Sequence, residues 1–237
     1  MVAVVALLAV IAGSWLYLLA MSSHGMRAPA GWSPQYFAVM AVMWVVMMAA
    51  MMLPTATPMI LLHATLARRR HVLQRAALAA NGLFALGYVA VWTAFALGAT
   101  VLQWVLAEAA LLSPMMQASS KGLAGALLVA AGVYQFTPLK QACLRHCRSP
   151  LDFIMSHWRN GPAGSYAMGV RHGVYCLGCC WALMLLLFVG GVMSLAWIAG
   201  LAAFVLVEKL ALFGHWTTRL AGVALLGWGA GVLATLA

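Results

Sequence analysis

Five cysteines are the most chemically distinctive residues of the sequence, and they form two groups. The first group is Cys143 and Cys147, and the second is Cys176, Cys179 and Cys180. Thiolates bind soft ions such as Cu(I) and Zn(II), and paired thiols also carry out redox reactions. A single cysteine in an apolar segment is usually a small packing residue. Five cysteines within 38 positions instead indicate a metal site or a redox site.

The second group fits a helix that presents sulfur on one face. At helical spacing His172, Cys176 and Cys179 fall within a narrow sector, and Cys180 lies beside it. Gly173 and Gly178 lie beside the thiols and have no side chain, which allows another helix to approach.

The first group adds a second pair of ligands. Cys143 and Cys147 are four residues apart and share a face if their segment is helical, and His146 lies between them. Two pairs from adjacent segments then converge on one metal ion, for which Cu(I) is the favoured identity and zinc the alternative. The predicted ligands are Cys143, Cys147, Cys176 and Cys179, with Cys180, His172 and His146 as alternates or as groups around the ligands.

A methionine-rich segment offers further soft ligands. Thioethers are uncharged and suit Cu(I), so they can lie inside a membrane without a charge penalty. On periodicity alone, however, packing by flexible apolar side chains is the favoured interpretation. The stripe at helical spacing is Met40, Met43, Met47 and Met51, widened by Met48 and Met52.

Two prolines in the same segment shift the balance toward a site. Pro54 and Pro58 each free a backbone carbonyl, and broken helices line sites in transporters. The alternative is structural, because the hydroxyls of Thr55 and Thr57 can bond to freed backbone groups. We expect a soft-ligand path from the stripe toward the thiols. The methionines included among the candidate metal residues are Met47, Met48, Met51 and Met52.

The composition shows which elements must position these residues. Of the 237 residues, 66% are hydrophobic and 7% charged, and the mean hydropathy is +1.00. A soluble domain carries about 25% charged residues, so we expect an integral membrane protein. The predicted fold is an all-α, polytopic transmembrane bundle forming a single domain over 1–237. Its seven spans are predicted at 2–20, 34–62, 76–106, 122–137, 170–190, 192–207 and 220–237, with a Cys-containing cytoplasmic loop at 138–169.

The basic residues predict the orientation of these spans. Eleven of the thirteen Lys and Arg residues fall in the loops on one side, and only Arg27 and Lys121 fall on the other. The positive-inside rule then places the N-terminus in the cytoplasm, which predicts a multi-pass protein of the bacterial inner membrane. Anionic lipid, rather than nucleic acid, is the expected partner of the excess charge. All the thiols then lie near the reducing cytoplasmic face, where structural disulfides are not expected.

Glu208 is one of only three acidic residues and closes the sixth predicted span. An ionisable residue near membrane depth is a functional candidate, and an ion pair with a loop arginine is the structural alternative. The sequence contains no phosphate-binding Gly loop and no paired carboxylates for hydrolysis. An enzyme is therefore the less favoured class.

Two segments resemble the hallmarks of a family of bacterial predicted metal-binding integral membrane proteins, known as a domain of unknown function. They are Tyr134–Pro150 and Gly169–Met184, and both contain cysteines. The Met-rich segment Trp44–Pro58 and the dipeptide Glu208-Lys209 also match. The resemblance covers most of the chain after about residue 35. It implies a membrane protein that binds metal through these segments, and it supports the site residues more than any particular activity.

The leading function is therefore soft-metal handling, meaning transport, delivery or sensing of Cu(I). A structural zinc site in a subunit of a membrane complex would use the same ligands. A membrane thiol–disulfide oxidoreductase is the other alternative, because C-x2-C at a helix start is a redox arrangement. The expected partners are the lipid bilayer and either a metallochaperone or a membrane complex.

Overall fold

The computed structural model describes residues 2–23, 31–70, 73–113, 116–210 and 214–236. These residues are helical apart from short connections, and their one extended pairing is an isolated bridge between Leu112 and Ala118. The predicted all-α class is confirmed for this part of the chain. The helices are α1 (Val2–Ser23), α2 (Pro34–Arg70), α3 (Gln74–Glu108), α4 (Lys121–Gln135), α5 (Pro138–Arg148), α6 (Pro150–His157), α7 (Gly161–Leu185), α8 (Leu187–Gly190), α9 (Leu195–Leu210) and α10 (Gly214–Ala234).

Five stretches of the described chain are long and apolar enough to cross a membrane, and a bent pair, α4 with α5, makes a sixth candidate. The two helices of that pair meet at 66°. The predicted spans at 122–137 and 192–207 correspond to α4 and α9, which have only 15 and 16 residues. The count of seven therefore stays a prediction. By contrast α2 has 37 residues and is about 55 Å long, well beyond the hydrocarbon thickness of about 30 Å.

The segment predicted as a Cys-containing loop at 138–169 is largely helical. It forms α5, α6 and the start of α7, so most of the charges that indicated a loop lie on helices instead. Thr137 caps α5 by accepting a hydrogen bond from the backbone N–H of Lys140 at 3.3 Å. Pro138 and Pro150 occupy the first turns of α5 and α6, where proline is well tolerated. Cys143 and Cys147 consequently lie on one helix, which is the condition under which their spacing places them on one face.

The core forms where α3 packs against both α2 and α7, with α5 lying against α7 and α10 paired with α4. Small residues permit the closest approaches. Gly87 of α3 faces the backbone of Tyr166, and Gly169 of α7 faces the backbone of Phe84. A side chain at either glycine would push α3 and α7 apart. Gly173 faces α3 through Val91, which is the helix approach that the sequence predicted beside the thiols.

The two ends of the bundle differ in character. At one end, here called the basic end, Val2 and Ala3 line a groove together with Arg68 and Gln74. The start of α1 therefore lies beside the α2–α3 connection. At the opposite end the backbone N–H of Ala118 donates to the carbonyl of Phe188 at 2.7 Å. Arg27, predicted on the side away from most basic residues, lies outside the described residues.

Candidate metal site

Four thiols and one thioether meet at the middle of α7. Cys147 on α5 places its Sγ 3.9 Å from the Sγ of Cys179 and also lies within reach of Cys176. Cys180 points toward α2, where its Sγ lies 3.9 Å from the Sδ of Met52. Three of the thiols and Met52 are at most 1% exposed, and Cys147 is half-buried. We call these five residues the sulfur cluster.

The local geometry of α7 holds its three thiols together. Cys176, Cys179 and Cys180 occupy little more than one helical turn. The thiols of Cys179 and Cys180 both donate to the carbonyl oxygen of Cys176, at 3.0 and 2.9 Å. Gly178 lies between them and lets α5 approach closely. The absence of a side chain at Gly178 thus allows α5, and Cys147 with it, to come close to α7.

Cys143 lies at the edge of this arrangement. It occupies the turn of α5 before Cys147 and is 9% exposed. Its Sγ packs directly against Gly178, where a Cβ atom would lie only 2.6 Å away. The structure thus brings Cys180, predicted as an alternate, closer to the other thiols than Cys143.

A buried lysine and a tyrosine contact the thiol of Cys176. Lys209 Nζ donates to Cys176 Sγ at 2.9 Å and to the hydroxyl of Thr55 at 3.2 Å. The hydroxyl of Tyr88 lies 3.0 Å from Cys176 Sγ and donates to the carbonyl of Met52 at 3.1 Å. Lys209 is 5% exposed and Tyr88 is 1% exposed. Sequence reasoning singled out Glu208 rather than Lys209, although a cation in an apolar span was a usable signal.

Glu208 forms a buried ion pair that holds α5 against α9. Its carboxylate lies 2.9 Å from Lys140 Nζ, and both side chains are fully buried. Thr218 on α10 donates to the other carboxylate oxygen at 3.0 Å. Arg148, at the end of α5, donates to the backbone carbonyl of Glu208. The partner in the ion pair is therefore a lysine, while the expected arginine binds the backbone.

The two predicted histidines occupy different surroundings. His172 is 3% exposed and lies one turn before Cys176, stacked against Tyr88 with ring centres 5.6 Å apart. Its Nδ1 has no hydrogen-bond partner among the described residues, so a buried nitrogen is left free beside the thiols. His146 bonds through Nδ1 to the carbonyl of Ala142 at 2.9 Å and lines a cavity between α5 and α6. His146 is thus directed away from the sulfur cluster.

The methionine stripe is fully buried and connects the sulfur cluster to the far end of α2. Met47, Met48 and Met51 are each at most 1% exposed. From Met52 back to Met40 the stripe is about 18 Å long. α2 continues as a helix through both prolines, and the hydroxyls of Thr55 and Thr57 donate to the carbonyls of Met52 and Leu53.

A second group of sulfur atoms lies where the stripe ends. The amide nitrogen of Gln103 lies 3.7 Å from the Sδ of Met40 and 3.0 Å from the Sδ of Met116. The amide oxygen of Gln103 accepts a hydrogen bond from the indole of Trp44 at 2.6 Å. We call Met40, Met116, Gln103 and Trp44 the thioether end. The sequence indicated Gln103 only as a hydrogen-bond former between helices, and it did not connect Gln103 or Met116 with the stripe, because both come from other segments of the chain.

A family model described as copper chaperone, PpoB2, matches residues 41–232. This match covers most of the chain. The protein belongs to the PpoB2 copper chaperone family. Membership of this family confirms that the protein belongs to a metal-related family and that its function is related to copper. No curated protein and no solved structure matches the chain.

The matched segment of this PpoB2 family member contains all five cysteines, the methionines from Met43 to Met52, and Lys209. Met40 and α1 precede it. In the described part of the chain, no three His, Cys, Asp or Glu side chains are grouped so that they would hold a metal ion. Cys147 and Cys179, on different helices, have their thiol sulfurs 3.9 Å apart. The chemistry available to a copper chaperone at this place is thus that of paired sulfur ligands beside a buried ammonium group.

Proposed function

We propose that the protein is an integral membrane Cu(I) chaperone that holds its cargo ion at the sulfur cluster. The observation that carries the proposal is the meeting of four thiols and a thioether in a buried space. Thiolate and thioether sulfur are the ligands that Cu(I) prefers. The copper chaperone family to which the chain belongs supports the same assignment.

The outer surface of the bundle supports insertion into a membrane. Large apolar side chains such as Leu8, Leu97 and Val223 are exposed on the long helices. A surface of this kind requires lipid or another protein around it. The helices also satisfy their own backbone polar groups, as a membrane span must.

We further propose seven crossings with the basic end in the cytoplasm. The groove that Val2 and Arg68 share puts the start of α1 at the basic end. Leu233, near the end of α10, packs against Gly125 near the start of α4, at the opposite end of the bundle. Chain ends on opposite sides require an odd number of crossings. In this arrangement the excess lengths of α2, α3 and α7 project into the cytoplasm.

The arrangement of the thiols favours Cu(I) over zinc. A structural zinc site takes four ligands in a tetrahedron. Cu(I) can be bound by two sulfur ligands, so Cys147 and Cys179 can hold it after a small adjustment. Cys176 would be the third sulfur ligand, Cys180, Met52 and the free Nδ1 of His172 would be further donors, and Cys143 would take an outer position.

The methionine stripe is the proposed route between the cluster and the thioether end. Uncharged thioethers bind Cu(I) without leaving an unpaired charge in the membrane. Met47, Met48 and Met51 are buried at successive positions along this route. By the positive-inside rule, the thioether end faces the exterior.

Copper analysis of anaerobically purified protein in detergent tests the proposal. We expect one Cu(I) per chain in the parent and no bound Cu(I) in C147S/C179S. C143S is the matched control, because Cys143 lies on the same helix but outside the cluster, and it should retain the ion. Absence of bound Cu(I) from the parent would refute the proposal. Tightly held zinc in its place would favour a structural zinc site in a membrane complex.

One observation favours a second function, that of a thiol–disulfide oxidoreductase. Cys147 and Cys179 lie on different helices with their sulfur atoms 3.9 Å apart, so oxidation would join α5 to α7. The thiols of the copper-free protein can be titrated in glutathione buffers of graded potential. A disulfide that forms reversibly near the cytoplasmic potential, with turnover of a dithiol substrate, would support this function over metal delivery.

A further inference from the structure

Lys209 is the one described lysine whose ammonium group contacts sulfur. Its neighbour Glu208 is already bound by Lys140 and Thr218 on the other side of α9. Among the described residues, no carboxylate lies within ion-pairing distance of Lys209. Its hydrogen-bond acceptors are the thiol of Cys176 and the hydroxyl of Thr55.

A buried ammonium group is costly unless a negative or strongly polar partner compensates it. At Lys209 that partner is Cys176 Sγ, 2.9 Å away, inside a space where both residues are at most 5% exposed. Cu(I) carries the same single positive charge and requires the same sulfur. Two cations close to one thiolate also repel each other strongly in a medium of low dielectric constant.

We propose that Lys209 is a built-in competitor for the cargo: its ammonium group takes the place beside Cys176 that Cu(I) needs, and the ion binds there only as the ammonium withdraws. This inference rests on the proposed function and adds a means of release to it. A chaperone must give its ion to a recipient. A lysine that returns to Cys176 stabilises the vacated thiolate and so favours that transfer.

The structure provides other hydrogen-bond acceptors for the ammonium group when it leaves Cys176. The Thr55 hydroxyl donates its own hydrogen to the carbonyl of Met52, so its oxygen stays available to Lys209. Lys209 also lies in the last turn of α9, where unpaired backbone carbonyls attract cations. A flexible four-carbon stem permits movement between these acceptors without movement of the helix.

The test compares K209M, which removes the charge at similar length, with K209R, which keeps the charge. Cu(I) affinity is measured anaerobically in detergent by competition with a chromophoric Cu(I) chelator. We expect K209M to bind at least about tenfold more tightly and to release the ion more slowly, since a charge-assisted hydrogen bond no longer competes. K209R should resemble the parent. Affinity of K209M equal to or below that of the parent would overturn the inference.

A second measurement uses the parent chain, in case K209M does not fold. Ag(I), a soft monovalent ion without redox chemistry, is added before brief acylation of amines, and each lysine is quantified by mass spectrometry. We expect Ag(I) to increase labelling of Lys209, which loses its sulfur partner, and not of exposed Lys121. Unchanged labelling of Lys209 with Ag(I) bound would overturn this inference but would leave the proposed function standing. Failure of the parent to bind either ion would instead refute the proposed function.

Discussion

The sulfur cluster and the thioether end lie on the same buried stripe but offer a soft cation very different surroundings. At the cluster, thiols that can carry charge lie beside the ammonium group of Lys209. At the thioether end, two neutral methionine sulfurs lie beside the neutral amide of Gln103. A charged ligand binds a cation more strongly than a neutral one in a low-dielectric interior. The comparison predicts tight, regulated binding of Cu(I) at the sulfur cluster and weak, transient binding at the thioether end.

The two regions also differ in how they are held in place. The cluster depends on α5, which the Lys140–Glu208 ion pair ties to α9. The thioether end depends on a short connection in which Met116 has a positive φ of 56°, an uncommon conformation for a residue with a side chain. The backbone N–H of Val192 lies 3.5 Å from the Met116 carbonyl. One region is thus fixed by charge and the other by a loop conformation.

The largest expected effect comes from breaking the ion pair that holds the cluster. E208Q should lower the free energy of unfolding by about 3–5 kcal/mol, because the charge of Lys140 is left buried without compensation. Urea unfolding in detergent, followed by circular dichroism, measures the change. The control K140M/E208M removes both charges and should recover much of the loss. Parent-like stability of E208Q would show that charge does not fix α5.

The second prediction concerns affinity and compares one sulfur residue from each region. C176S should weaken Cu(I) binding by more than about 100-fold, since loss of a group around a ligand alone costs about 10–100-fold. M116L should change the affinity much less, because Met116 contacts Gln103 and not the cluster. Chelator competition in detergent measures both. An equal loss in the two variants would remove the distinction between the regions.

Much of this contrast could be predicted from residue type and spacing. Helical periodicity placed Cys176 and Cys179 on one face and the methionines in one stripe. The residue types alone distinguished thiols, which can carry charge and bind a cation strongly, from neutral thioethers, which bind it more weakly. The segment 138–169 was wrongly predicted as a loop, because its charges were taken as a sign of one. A helix tolerates charges on one face, so α5 carries Cys143 and Cys147 together with its arginines.

Other features of the site depend on how the helices are rotated against one another, which periodicity within one helix does not determine. Gly178 admits α5 at an angle that directs Cys147 to the cluster and Cys143 against the glycine itself. Lys209 and Tyr88 reach Cys176 from helices far away in the chain. Their sequence signal was a polar group within an apolar segment, which indicates importance but identifies no partner.

The smallest expected effect on Cu(I) affinity, and the most direct test of a connection between the two regions, comes from the methionines between them. M47L/M48L/M51L keeps Met52 at the cluster and replaces each thioether by an apolar side chain of similar volume, at a cost below about 1.5 kcal/mol each. Because the cluster is intact, equilibrium Cu(I) affinity should match the parent. Transfer of Cu(I) to a chelator outside proteoliposomes should slow, since the route loses its sulfur ligands. V42L, on the exposed face of α2, is the matched control. Unchanged transfer in the triple variant would mean that these methionines only pack the core and that the two sulfur regions work independently.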